Sequence, residues 1–80
     1  MQRFQLQGEF IELNVLLKLL ALAPSGGAAK AMIASGTVLV DGAVETRIRR
    51  KLRAGQTVRI GEQRIGIAAA AASAGGKAVK

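Results

Sequence analysis

Five of the seven residues from position 47 to 53 are basic, and no other part of the sequence is so densely charged. Arg47, Arg49, Lys51 and Arg53 recur at steps of two. In an extended segment that step keeps side chains on one face and spans roughly 6.6 Å, close to the separation of successive phosphates along a nucleic-acid strand. Ile48 and Leu52 fall on the opposite face, where they can anchor the segment on a core. The chemistry on offer is charge neutralisation and hydrogen bonding to anionic oxygens, with Arg50 adding a fifth cation. Bond-making chemistry is poorly provided for. The sequence has no His and no Cys, which removes the imidazole base, the thiolate nucleophile and the usual zinc ligands. The carboxylates Glu9, Glu12, Asp41, Glu45 and Glu62 are scattered, without the pairing that general acid–base work needs. We expect no enzyme, no cofactor, no metal and no small-molecule substrate.

The 80 residues carry a net charge of +7, and the excess is one-sided. Residues 1–46 hold three cations (Arg3, Lys18, Lys30) against four anions, whereas residues 47–66 hold seven cations against Glu62 alone. Solubility does not require such segregation, since interspersed signs serve as well; contact with nucleic acid does. The two phenylalanines, Phe4 and Phe10, sit in apolar surroundings and read as core. With no aromatic interleaved in the basic run, stacking on unpaired bases is not supplied, and the pattern favours recognition of shape and phosphate positions. The apolar stretch 15–23 is too short to cross a membrane and contains Lys18. Arg3, followed by Gln5, Gln7, Glu9 and Glu12, does not read as a signal peptide. The absence of Cys gives no sign of an oxidising compartment. The expected setting is the cytoplasm, with no membrane partner.

Local patterns supply the elements that must position these cations. Residues 1–7 alternate as a short half-buried strand. Residues 10–22 are dense in apolar positions and predict a helix with two stripes, Ile11-Val15-Leu19-Leu22 and Leu13-Leu16-Leu17-Leu20. One side of that helix is left over for a partner or for the tail. Pro24 and Ser25 end it and start a second helix reaching about residue 35; either Ser25 is the N-cap or Pro24 occupies the first helical position. Ala29, Met32 and Ile33 form its core stripe, Lys30 lies at the stripe's edge one turn after Gly26, and Gly36 is the expected left-handed stop. Two strands flank Asp41-Gly42, the strongest short hairpin signal. After the basic run and a turn at 54–56, strands at 57–60 and 63–67 flank Gly61-Glu62. The fold class is α+β: a helical pair beside an antiparallel sheet of four to five strands. One domain occupies residues 1–67, and residues 68–80 form a low-complexity Ala/Gly/Lys tail that reads as disordered.

The order Ser25-Gly26-Gly27-Ala28-Ala29-Lys30, then Ile33 to Gly36, Val38-Leu39-Val40 and Asp41-Gly42, resembles the core of the S-four RNA-binding domain. Lys51-Leu52-Arg53-Ala54-Gly55-Gln56-Thr57-Val58 fits the family's following turn and strand. Glu12-Leu13 and Leu16-Leu17-Lys18-Leu19 fit its first helix, most like a stand-alone bacterial branch. The resemblance covers about residues 2–67. It implies a two-helix αL-type motif that grips structured RNA, ribosomal or tRNA-like, through Ser25, Lys30, Gly42, Arg47, Arg49, Arg50, Lys51 and Arg53; Lys18 and Gly26 are further RNA-binding candidates on the helical pair. Many members carry Arg after the serine. Gly26 stands there instead, and the run at 47–53 is expected to compensate. The leading expectation is a non-catalytic, monomeric module for structured RNA. The alternatives are a ribosome-assembly or protein-interaction adaptor and a general nucleoid-type DNA binder.

Overall fold

A computed structural model describes residues 2–70. Nine elements follow one another: β1 (Gln2–Gln5), β2 (Ile11–Glu12), α1 (Leu13–Leu19), α2 (Gly26–Ala34), β3 (Val38–Val40), β4 (Ala43–Val44), β5 (Lys51–Leu52), β6 (Thr57–Ile60) and β7 (Gln63–Ala68). The expected α+β layering is present. A five-stranded sheet in the order β1-β7-β6-β3-β4 lies against the two helices, and β2 pairs with β5 as a separate ribbon. Most pairings in the sheet are antiparallel, but β1 runs parallel to β7, with Arg3 opposite Gly66 and Phe4 opposite Ile67. Alternation of side chains is identical in either direction, so the sequence pattern carries no sign of this. The last strand runs through Ala68, one residue into the expected tail; positions 71–80 of that tail lie outside the described residues.

The core is built where both layers turn an apolar face inward. Leu13, Leu16 and Leu17 of α1 and Ala29 and Ile33 of α2 meet Val38, Val40, Val58, Ile65 and Ile67 of the sheet, with Leu6 and Leu52 closing the edges. Of the two stripes on the first helix, the one holding Leu13, Leu16 and Leu17 is buried. The other leaves Val15 and Leu19 in solvent. The helix is shorter than its apolar run suggests. Ile11 and Glu12 pair with Leu52 and Lys51 instead of continuing the helix backwards, so residues 10–12 follow a period of two.

Both helices end in the same way. In α2 the N–H of Gly36 donates to the carbonyl of Ile33 and that of Thr37 to Met32, while Gly36 takes φ +82°. In α1 the N–H of Ala21 donates to Lys18 and that of Leu22 to Leu17, with Ala21 at φ +58°. These are Schellman terminations, and the one after α1 forces a Cβ-bearing residue into the left-handed region. The start of α2 is settled in favour of Ser25, whose Oγ accepts from the Ala28 N–H at 3.1 Å. Both tight hairpin turns are formed. Asp41 and Gly42 have φ +52° and +86°, as a type I′ turn requires, and Gly61 opens the second turn at φ +60°.

The exposed Ala21 is therefore a site of stored strain. Ala21→Gly is expected to stabilise the fold by about 1 kcal/mol, read as a raised urea midpoint at unchanged m-value. A lowered midpoint would mean that the left-handed cap is not strained.

Candidate nucleic-acid interface

The basic run is not one extended strand. Only Lys51 and Leu52 are strand; before them the chain turns, and the N–H of Arg50 reaches the carbonyl of Arg47 at 3.2 Å. The cause is Glu45. Its carboxylate accepts from the Arg47 backbone N–H (2.9 Å), from Arg47 Nε (3.1 Å) and from Arg50 Nη1 (2.8 Å). A strand would throw Arg47 and Arg50 to opposite faces, so gathering both on one carboxylate requires the bend. Helix α1 holds the same loop from the other side. The N–H groups of Leu13 and Asn14, unpaired within their own helix, donate to the carbonyls of Arg50 and Ile48 at 2.9 and 3.1 Å. Ile48 packs at the margin of the core and Leu52 is fully buried, which matches the anchoring role expected of this pair.

The expected row of four cations is thus replaced by a curved cluster, and Arg50 is not turned away from it. Arg47, Arg49, Arg50, Lys51 and Arg53 together line one shallow groove. They are not equivalent. Arg47 and Arg50 share the Glu45 carboxylate, whereas Arg49, Lys51 and Arg53 have no carboxylate within ion-pair distance among the described residues. The far end of the run is tied to the β3–β4 turn through Gln56. Gln56 accepts from the Arg53 N–H at 2.8 Å and donates to Asp41 at 3.2 Å. Asp41 also receives the Thr57 N–H at 2.9 Å. That carboxylate is occupied in holding β6 to the turn.

Phe10 corrects the sequence reading. It is not core: it is 40% exposed, with Lys51 Nζ 4.9 Å and Arg53 Cζ 5.7 Å from its ring centroid, both within cation–π range. Its apolar neighbours in the sequence suggest core, and the run at 47–53 holds no aromatic of its own; the ring beside its cations comes from the segment before α1. The β2–β5 register, with Ile11 opposite Leu52 and Glu12 opposite Lys51, turns Phe10 outward to the face that carries Lys51 and Arg53. Glu12 between the apolar Ile11 and Leu13 is a sign of a two-residue period in the sequence. Glu45 was missed because its contacts depend on the bend, and Gln56 because its link to Asp41 joins residues far apart in the sequence.

The remaining expected site residues lie on the helical pair and the first hairpin. Lys18 is exposed in the last turn of α1, Lys30 is exposed on α2, Ser25 caps α2, Gly26 is its first residue, and Gly42 is at the exposed β3–β4 turn. No hydrogen bond or ion pair among the described residues joins them to the 47–53 cluster. A Cβ added at Gly26 would meet nothing within 4 Å, so space alone does not demand glycine there. No set of three or more carboxylates among the described residues could hold a metal ion, and no helix among them is long and apolar enough to cross a membrane.

A helical pair on a small sheet, with a basic loop pinned beside the first helix, defines a class, and the family models name it. Residues 4–68 match the S4 domain, and the chain belongs to that family. Among curated proteins it is similar to the putative RNA-binding protein YbcJ of Escherichia coli strain K12, 60% identical over 48 residues, covering 60% of this chain and 69% of that one. An uncharacterised YbcJ of Shigella flexneri matches to the same extent. Among solved structures, the solution structure of YbcJ from E. coli, described as revealing an αL motif involved in RNA binding, aligns with a TM-score of 0.65 at 46% identity. The alignment covers 85% of this chain and 87% of that one.

The electrostatics of Glu45 give a direct test. The hydrogen bond from the Arg47 guanidinium, aided by the Arg47 backbone N–H, outweighs the effect of burial and brings its carboxyl from 4.5 down to about 2. A carboxylate whose pKa is lowered on folding contributes stability above its unfolded value and loses it as pH falls toward the folded value. At pH 7, Glu45→Gln is expected to cost about 1–2 kcal/mol of unfolding free energy. The gap between parent and variant should narrow steadily from pH 4.5 to pH 2 in urea titrations. A gap independent of pH across that window would show that the charge is not what holds the loop.

Proposed function

We propose that this chain is a non-catalytic module that binds structured RNA, with ribosomal RNA or tRNA as the nearest candidates and the cytoplasm as its setting. One observation carries the reading: five cations converge on one groove, and three of them, Arg49, Lys51 and Arg53, lack a carboxylate partner among the described residues. An uncompensated cluster on a rigid loop repels itself and is relieved by a polyanion. Membership of the S4 domain family supports the reading, as does similarity to a protein called a putative RNA-binding protein. A non-catalytic role accords with the carboxylates, since Glu45 is committed to two arginines and Asp41 to Gln56 and Thr57. Lys30 and the Ser25-capped start of α2 are assigned to the same RNA surface.

Four free cations, Arg49, Lys51, Arg53 and Lys30, each neutralising one phosphate, give a slope of log K against log salt of roughly −3 to −3.5 for a folded RNA hairpin. The double variant Arg49→Glu, Lys51→Gln should bind at least tenfold more weakly with little change in the unfolding midpoint, because both side chains are exposed and neither makes an ion pair among the described residues. Lys30→Ala should weaken binding by about 1 kcal/mol and flatten the slope by about one unit. Glu62→Ala, at the far hairpin, is the control and should change little. Duplex DNA and single strands are titrated at the same salt. A slope near zero, or equal affinity for duplex DNA and the RNA hairpin, would count against an RNA module.

A further inference from the structure

The basic groove explains how phosphates are held, yet it leaves one feature beside it unused. Phe10 belongs to two surfaces at once. On one it carries Lys51 and Arg53 against its ring. On the other it lines an apolar groove of about 480 Å³ with Leu6, Gln7, Gly8, Leu19 and Leu20. Leu19 is 62% exposed and Phe10 40%, so a leucine and an aromatic ring stand in water where the core has no use for them. The groove is also open on one wall, since a Cβ added at Gly8 would meet nothing within 4 Å. Gln7 is exposed and makes no hydrogen bond among the described residues, leaving an amide donor and acceptor at its margin.

We propose that this groove receives one unpaired RNA base, stacked against Phe10, while the phosphate attached to its ribose is held by Lys51 and Arg53. The inference rests on the RNA-binding reading and deepens it, by naming an unstacked nucleotide as part of the ligand. The chemistry of the site matches that of a nucleotide part by part. A base has a flat apolar face, for which Phe10 and Leu19 provide contact. It has polar edges, which suit the Gln7 amide. It carries an anion a few ångströms away, where the two cations stand. A continuous duplex presents no free base face, so the fitting RNA is a helix interrupted by a bulge or closed by a loop. The cations on the ring do not compete with the ligand. A hydrogen bond to a phosphate oxygen is stronger than an exposed cation–π contact, so phosphate draws Lys51 and Arg53 off the ring.

The test compares three RNA hairpins of the same stem: uninterrupted, with a one-nucleotide bulge, and with an abasic nucleotide at the bulge. The parent protein should bind the bulged stem at least fivefold more tightly than the abasic one, as expected for one base stacked on an aromatic side chain. Phe10→Leu should abolish that preference, binding the bulged and abasic stems within twofold of each other. Phe10→Trp should preserve it. Equal affinity of the parent for bulged and abasic stems would overturn the proposal and leave the groove to residues 71–80 of this chain or to an apolar protein segment. If Phe10→Leu weakens all three RNAs alike, the ring serves only to order Lys51 and Arg53, and the base site is likewise overturned. If the parent binds none of the three, the RNA reading itself falls, which is a distinct result.

Discussion

A single buried carboxylate sets the shape of the basic loop. Glu45 is 7% exposed, and its carboxylate accepts hydrogen bonds from the Arg47 backbone N–H and from the Arg47 and Arg50 guanidinium groups. Burying a charge is tolerable only when it is paired and hydrogen-bonded, and here the partners are two arginines from the segment that must be positioned. The bend they impose brings the carbonyls of Ile48 and Arg50 to the first N–H groups of α1. The start of the helix, the loop and the hairpin are thereby fixed with respect to one another by polar contacts, while Leu52 fixes them to the core. Remove the carboxylate and the two arginines have no reason to converge.

The same contact divides the cations by task. Arg47 and Arg50 are held in the free protein and stiffen the loop; Arg49, Lys51 and Arg53 are left in excess. A loop whose cations were all paired would be stable and inert toward anions. One with none paired would be mobile, and would lose conformational entropy each time it bound. In the free protein Lys51 and Arg53 rest beside the Phe10 ring, which leaves their charge unneutralised.

What was legible in the sequence was local. Asp41-Gly42 and Gly61-Glu62 declare their turns because backbone conformation there depends on the residues themselves. Gly36 and Ser25 bound the second helix for the same reason. The α+β class followed from the order of such elements, and Ile48 and Leu52 were legible as anchors from their alternation with charge. What was not legible depends on partners far along the chain. Residues 11 and 12 look helical until Leu52 and Lys51 pair with them, and Phe10 looks like core because its sequence neighbours are apolar. The run at 47–53 looks extended until Glu45 bends it. Ala21 gives no sign of its left-handed conformation, because alanine is an ordinary helical residue everywhere else.

The parallel pairing of β1 with β7 has a consequence for the order in which the domain can be assembled. β1 lies beside β7, Gln2 against Ile65 and Gln5 against Ala68, so its partner leaves the ribosome after every other described element. During vectorial synthesis the helical pair and the β3–β4 hairpin can close early, from short-range contacts, whereas β1 must wait with Phe4 and Leu6 uncovered. Loop closure over nearly the whole domain makes this the pairing with the greatest sequence separation and the slowest to form. Among the described pairings this one thus acts as a latch on the elements that lie between its two strands.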